Sequence, residues 1–314
     1  MIQFTPLINN KKAFALSIVL WIVAALLVGV AALTVFSKDS VKLSKELNNK
    51  LQTQLKAEDI LEGLIFYITT SDYNNNSLIS QTILNFPYKF PNAIIVDNRW
   101  YNLDKNTKIR LQDTSSLINT ITYRGERISA IATTNEQTQL RYIINDSIKD
   151  WIDKDDFVEL NGAEGSSYEL QKELSFKIRN SSAIQDPQEF RLINGIDTMN
   201  DILWNNLKDK LYYGRSTLVN LTLIDKRYLS YLLNISESYA QTLINIRKDD
   251  IGEYIKIISM LQKFDDEFMG FSLSHQFKIE IQVTLGNATS ILKTIIDFKQ
   301  TQNQQYTIIE YSIK

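Results

Sequence analysis

Residues 13–71 read AFALSIVLWIVAALLVGVAALTVFSKDSVKLSKELNNKLQTQLKAEDILEGLIFYITTS. The first part, from Ala13 to Phe36, contains no charged residue, and about 20 such residues span a bilayer as a helix. A secretory signal has an apolar core of only about 7–15 residues. The following Ser37-Lys38-Asp39-Ser40 also offers no A-x-A cleavage site, so a spanning anchor is expected. Lys11 and Lys12 flank one side and Lys38, Lys42, Lys45 and Lys50 the other. That count does not orient the span, because long domains translocate largely regardless of charge. No Gly or Pro falls between Gly29 and Gly63, and Leu47, Leu51 and Leu55 recur every fourth residue. Ile60, Leu64, Ile65 and Ile68 continue an apolar face at helical spacing. The pattern predicts one unbroken helix ending near Ser71, roughly 87 Å long at 1.5 Å per residue. Its outer half needs a packing partner, because an amphipathic stripe is not stable alone in water.

The whole chain has 314 residues, 34 Lys+Arg against 36 Asp+Glu, and a net charge of −2. Its length suggests about two packed units, and the charge gives no reason to expect nucleic acid. It has no cysteine, so disulfides, thiolate metal sites and Cys nucleophiles are excluded. His275 is the one histidine, and the ten glycines form no G-x-S-x-G, G-x-G-x-x-G or Walker loop. An enzyme is not expected.

The partner of the helix is expected to be a sheet. In Phe277-Lys278-Ile279-Glu280-Ile281-Gln282-Val283-Thr284-Leu285 the odd positions are apolar and the even ones polar, a strand period of two. Gly286-Asn287 turns the chain, and Ile291–Phe298 and Tyr306–Ile313 complete an antiparallel meander. Ala93–Asn98, Lys108–Gln112 and Leu117–Tyr123 also read as extended, with a loop at Asn74-Asn75-Asn76-Ser77. Between these strands the pattern turns helical: Asn135–Trp151, a helix opened by Asp186-Pro187, then Asp201–Leu211, Asp225–Leu233, Ser236–Lys248 and Ile251–Lys263. A helical block flanked by strands suggests an insertion. Trp21 falls in the span, Trp151 and Trp204 on apolar helix faces read as core, and His275 reads as a strand-edge residue.

Several of these segments carry a family resemblance. Lys-Lys-Ala-Phe-Ala-Leu before an aliphatic run resembles a type IV pilin-like leader, which a prepilin peptidase would cut between Ala13 and Phe14. Ala13 stands where Gly is commoner. Asp150-Trp151-Ile152-Asp153-Lys154-Asp155-Asp156, Asn161-Gly162-Ala163-Glu164 with Tyr168, and Val219-Asn220-Leu221-Thr222 resemble the type II secretion system minor pseudopilin K family, over nearly the whole chain. That resemblance implies an α+β pseudopilin fold: a long N-terminal helix, half transmembrane and half amphipathic, on an antiparallel sheet with a large all-α domain inserted. The expected organisation is a leader 1–13, a transmembrane helix 14–36, a first α/β part 37–129, the insertion 130–268 and C-terminal strands 269–314.

Other pseudopilins carry Glu at the fifth mature position, and this chain has Ile18 there. A carboxylate in hydrocarbon is costly without a partner, so a subunit at a fibre tip, with no neighbour ahead, is expected to lack it. The resemblance implies a single-pass protein of the bacterial inner membrane bilayer with a periplasmic C-terminal domain. It implies assembly with minor pseudopilins I and J at the tip of the pseudopilus, in support of export of folded proteins. A minor pilin of a type IV pilus or competence system is the alternative.

Five carboxylates, Asp150, Asp153, Asp155, Asp156 and Glu159, crowd one segment, followed by Glu164. Clustered hard oxygens suit calcium, although Phe157 and Val158 occupy positions where an EF-hand loop needs an oxygen and Gly. Chemistry alone leaves a solvated acidic loop equally open; the resemblance implies calcium, with Asp153, Asp155, Asp156 and Glu164 as expected ligands. Residues 219–248 resemble a helix-hairpin-helix unit. Asn234 and Ser236 stand where DNA-binding hairpins place glycines, so a scaffold role is expected, with no nucleic acid bound.

Overall fold

In the computed structural model, residues 11–81, 88–120, 125–134, 136–172, 184, 186–214, 218–261, 268–299 and 305–314 are described. The leader residues 1–10 lie outside that set.

Helix α1 (Lys11–Thr70) is continuous over 60 residues, and its N-terminal half is long and apolar enough to cross a membrane. Five strands lead to the edge of the insertion: a hairpin of β1 (Ser71–Tyr73) and β2 (Ser77–Ser80) paired to β3 (Ala93–Ile95), then β4 (Asp97–Asp104) beside β5 (Thr107–Asp113). Asn74–Asn76 make the tight hairpin turn, closed by Asn74 N–H to the Ser77 carbonyl at 2.9 Å.

After a 3-10 turn at Thr114–Ser116 come β6 (Ile118–Asn119), α2 (Gly125–Ala132), α3 (Thr138–Ile152), α4 (Gly165–Lys172), a 3-10 helix at Pro187–Leu192 and α5 (Asp201–Lys208). Then follow β7 (Leu211–Tyr212), β8 (Val219–Asn220), α6 (Lys226–Leu233), α7 (Glu237–Asp249), α8 (Ile251–Ser259) and β9 (Met269–Gly270). The chain closes with β10 (Gln276–Leu285), β11 (Ala288–Asp297) and β12 (Thr307–Ile313). The main sheet is antiparallel in the order β12-β11-β10-β5-β4, so β5 and β10, far apart in sequence, are neighbours. The expected meander is present, and everything between Thr114 and Ser274 leaves the sheet and returns to it.

The described residues form two apolar cores. In one, Ala57, Ile60, Leu64 and Ile68 of α1 meet Ile109, Leu111, Phe277, Ile279, Ile281 and Val283. In the other, Ile144, Ile148 and Trp151 of α3 gather with Trp204, Leu229, Leu243, Tyr254 and Ile258. Trp151 and Trp204 are core residues, as expected. Against a boundary expected near 130, the helical core already includes Ile118 and Ile128. The short pairs β6–β7 and β8–β9 are parallel and belong to the inserted body.

Several expectations need correction. Leu47, Leu51 and Leu55 do not face the sheet; all three are at least half exposed. Leu51 and Leu55 each precede a buried residue, Thr53 and Ala57, by two positions, which is about 200° around a helix. They therefore form a second apolar ridge on the opposite side. The segment opened by Asp186 is capped as expected, Asp186 accepting from Gln188 N–H, but it is 3-10 rather than α. Only Ile118–Asn119 of the expected extended stretch 117–123 is strand, and 121–124 lie outside the described residues. The polar face of β10 is not simply solvated: Glu280 is buried and pairs with Arg110 and Lys293. His275 adopts φ 63° and stacks on Tyr73 with ring centroids 4.4 Å apart.

The two bodies meet at a polar joint. The Asn75 carbonyl accepts from Asn220 Nδ2 at 2.8 Å and from Thr222 Oγ1 at 2.9 Å. Thr222 N–H in turn bonds Asn220 Oδ1 at 2.9 Å. The Val219-Asn220-Leu221-Thr222 segment thus docks the insertion onto the β1–β2 turn.

Candidate metal centre

Helix α3 ends at Ile152, and its last turn places Asp150 and Asp153 three residues apart on one face. The chain then runs out through an exposed acidic stretch and returns through Asn161-Gly162-Ala163 to Glu164, which precedes α4. One carboxylate oxygen from each of Asp150, Asp153 and Glu164 lies within 4.8 Å of the others. Asp150 is fully buried and Glu164 nearly so.

The return loop is anchored to α3. Asp150 Oδ1 accepts Glu159 N–H at 3.1 Å, and Asp146 Oδ2 accepts Asn161 N–H at 3.2 Å and Asn161 Nδ2 at 2.8 Å. Lys149 pairs with Glu159. Below the cluster, Trp151 meets Tyr168 edge to face at 5.2 Å and donates to Glu189 Oε1 at 2.8 Å. Gly162 lies so close to Asp150 that a Cβ there would overlap the carboxylate.

Burial, and then the neighbouring carboxylates, raise the pKa of Asp150 to about 6 and that of Glu164 to about 7. Asp153 shifts up as well, by burial and then by Asp155. The negative end of the α3 dipole adds to the same unfavourable field. Asp153 Oδ1 and Glu164 Oε1 are buried without a hydrogen-bond partner. Three converging carboxylates, two with unmet buried oxygens, are costly for a protein alone. They fit a hard divalent cation that takes oxygen ligands.

Of the residues expected from sequence, Asp153 and Glu164 enter this group; Asp155 and Asp156 are exposed and do not. Asp155 instead caps its own turn, accepting Phe157 N–H at 3.0 Å. Sequence reasoning did not assign Asp150, although its spacing from Asp153 on a helix end was the available signal. Ala13 and Phe14 lie within α1, with side chains outside the described residues, and Ile18 is exposed on the apolar half.

No family model matches this chain, and no curated protein matches it. Among solved structures it is similar to the GspK chain in the crystal structure of the GspK-GspI-GspJ complex from the enterotoxigenic Escherichia coli type 2 secretion system. The TM-score is 0.56 at 17% identity, covering 88% of this chain and 99% of that one. The likeness is one of fold, and this chain's long helix, antiparallel sheet and further helices are consistent with it.

Proposed function

We propose that this chain is a minor pseudopilin of a type II secretion system, seated at the tip of the pseudopilus with minor pseudopilins of the I and J kinds. The observation that carries this reading is the likeness of fold over almost the full length of both chains, insertion included. The steric argument is independent of it. The body from Thr114 to Ser274 stands out between adjacent strands β5 and β10, and a subunit that wide fits the end of a thin helical fibre better than its side. Ile18 in place of a carboxylate agrees with an end position, where no preceding amine needs neutralising.

In this reading α1 crosses the inner membrane once, a prepilin peptidase cuts between Ala13 and Phe14, and the remainder lies in the periplasm. Asp150, Asp153 and Glu164 would hold a calcium ion, which would neutralise the carboxylates and tie the return loop to α3. The exposed ridge of Leu47, Leu51 and Leu55 supplies the helix face for neighbouring subunits. The test is co-expression of the tagged full chain with the I and J minor pseudopilins of its own system, followed by purification in detergent. A stoichiometric ternary complex is expected. Recovery of the chain alone would end the tip assignment.

A further inference from the structure

The inserted body carries a cleft of about 840 Å³ between α2, the first turn of α3 and the α6–α7 hairpin. Arg127, Arg141 and Arg227 reach it from three different helices, and each is half-buried. Their charges are poorly compensated among the described residues. Among the described residues Arg127 bonds only the Tyr228 hydroxyl, at 3.4 Å. Arg141 bonds Thr133 Oγ1 at 3.2 Å and the Thr134 carbonyl at 3.5 Å, both neutral. Arg227 lies 3.9 Å from Glu237, a carboxylate that Lys226 approaches more closely, at 3.1 Å. The remaining acid in the wall, Glu126, accepts from the Tyr231 hydroxyl at 3.3 Å.

Half-buried guanidinium groups without an anion lose solvation that neutral partners only partly restore. Their planar donor forks match a carboxylate in two-point geometry. The opposite wall is the hairpin turn, where Asn234 is left-handed (φ 47°, ψ 51°) before the Ser236 cap of α7. The start of α2 at Gly125 also opens on the cleft. Both helix starts add positive dipole ends. The volume falls within the roughly 300–1,000 Å³ of small-ligand sites. A continuous polyphosphate fits poorly, because Glu126 and Glu237 stand in the same wall and the hairpin faces a pocket rather than an open track.

We propose that this cleft binds a carboxylate of a partner polypeptide, from an acidic side chain or a free C-terminus, held by Arg127 and Arg141 with Arg227 beside them. The site is independent of the fibre role proposed above. It is tested with the full chain in detergent micelles, at about 50 mM salt so that surface charge is partly screened. Fluorescence anisotropy would compare four labelled probes: C-terminally blocked hexaglutamate, hexaglycine with a free C-terminus, blocked hexaglutamine and hexathymidylate. At least one of the first two should bind about tenfold more tightly than hexaglutamine, and which one does so identifies the source of the carboxylate. Arg127→Gln and Arg141→Gln should each weaken that binding about tenfold, Arg127→Lys less, and the distant Lys105→Gln not at all. Unchanged melting temperatures would show the variants to be folded, and Arg127→Lys keeps the charge if a Gln variant is not. Equal binding of all the peptides, indifference to both arginines, or tightest binding by hexathymidylate would overturn the proposal.

Discussion

Asp113 and Ser274, at the points where the chain leaves and rejoins the main sheet, are tied to one another. The buried Asp113 carboxylate accepts the Ser274 amide at 2.8 Å and the Ser274 hydroxyl at 2.6 Å. The same carboxylate accepts the amide and hydroxyl of Ser115, at 2.7 and 2.6 Å. One side chain therefore clamps both ends of the insertion, and burial raises its pKa despite these four bonds.

Removing that clamp should be costly. Asp113→Ala leaves the Ser115 and Ser274 amides without their acceptor, and should lower the stability of the full chain by about 2–4 kcal/mol in denaturant melts. A change under about 0.5 kcal/mol, the range of ordinary surface substitutions, would mean that the joint is held elsewhere.

Calcium should stabilise the inserted body through the Asp150, Asp153 and Glu164 cluster. At one hundred times its dissociation constant a ligand adds about 2.7 kcal/mol, seen as a higher melting temperature than in chelator. Gly162→Ala should abolish the calcium-dependent part, since the added methyl displaces the Asp150 carboxylate. Asp155→Ala with Asp156→Ala should leave most of it. If the double variant removed the response and Gly162→Ala spared it, the ligand set would be the exposed acidic stretch instead.

The same cluster sets a pH dependence. Asp150 and Glu164 have folded pKa values of about 6 and about 7, raised above those of ordinary carboxylates. The folded state therefore binds more protons than the unfolded one between these limits. That contribution is fully present below about pH 4 and is lost as pH rises through 6 and 7. Metal-free chain should melt at lower temperature at pH 8 than at pH 5.5, and calcium should flatten the difference. A metal-free profile that rises with pH would contradict the cluster's electrostatics.

Substitutions on the outer ridge of α1 should separate folding from assembly. Leu51→Ser with Leu55→Ser alters exposed positions, so each should shift stability by no more than about 0.5 kcal/mol. Recovery of I and J partners with the tagged chain should nevertheless fall sharply. Undiminished recovery would place the contact on another face.

Processing is checked by intact-mass spectrometry of membrane-extracted protein. A mature chain starting at Phe14 is expected, with Ala13→Leu retaining the leader because the peptidase needs a small residue before the cut. A chain starting at Met1 in both would make α1 a plain anchor.

Much of this architecture was legible because its signals are periodic. Phe277 to Leu285 alternates strictly, and strand β10 covers those residues; the absence of Gly and Pro after Gly29 carries α1 unbroken to Thr70. What periodicity could not assign was which of two apolar stripes on one helix meets the sheet. Leu47, Leu51 and Leu55 are the more hydrophobic stripe, yet Thr53 bonds Ser290 at 2.7 Å and turns the other side inward. Helices α2 and α4 are only eight residues long and open on glycine, so packing rather than local pattern makes them helical. In the cluster, counting carboxylates along the chain favoured Asp155 and Asp156. The choice of Asp150 depends on the loop folding back over α3, a contact between segments that spacing does not encode.

The unbroken course of α1 imposes a rule on how its length can change. It first meets the sheet near Lys50, whose ammonium bonds the Thr289 carbonyl at 2.7 Å. One residue added between Lys38 and Lys45 would swing sheet, joint and insertion together by about 100° about the helix axis and lift them about 1.5 Å. Seven residues added there would restore the azimuth to within about 20°, at the expense of about 10 Å in height. Insertions and deletions in this stretch are thus graded by azimuth first and height second, and only changes close to a whole number of turns, such as about 7, 11 or 18 residues, keep the arginine cleft pointing the same way.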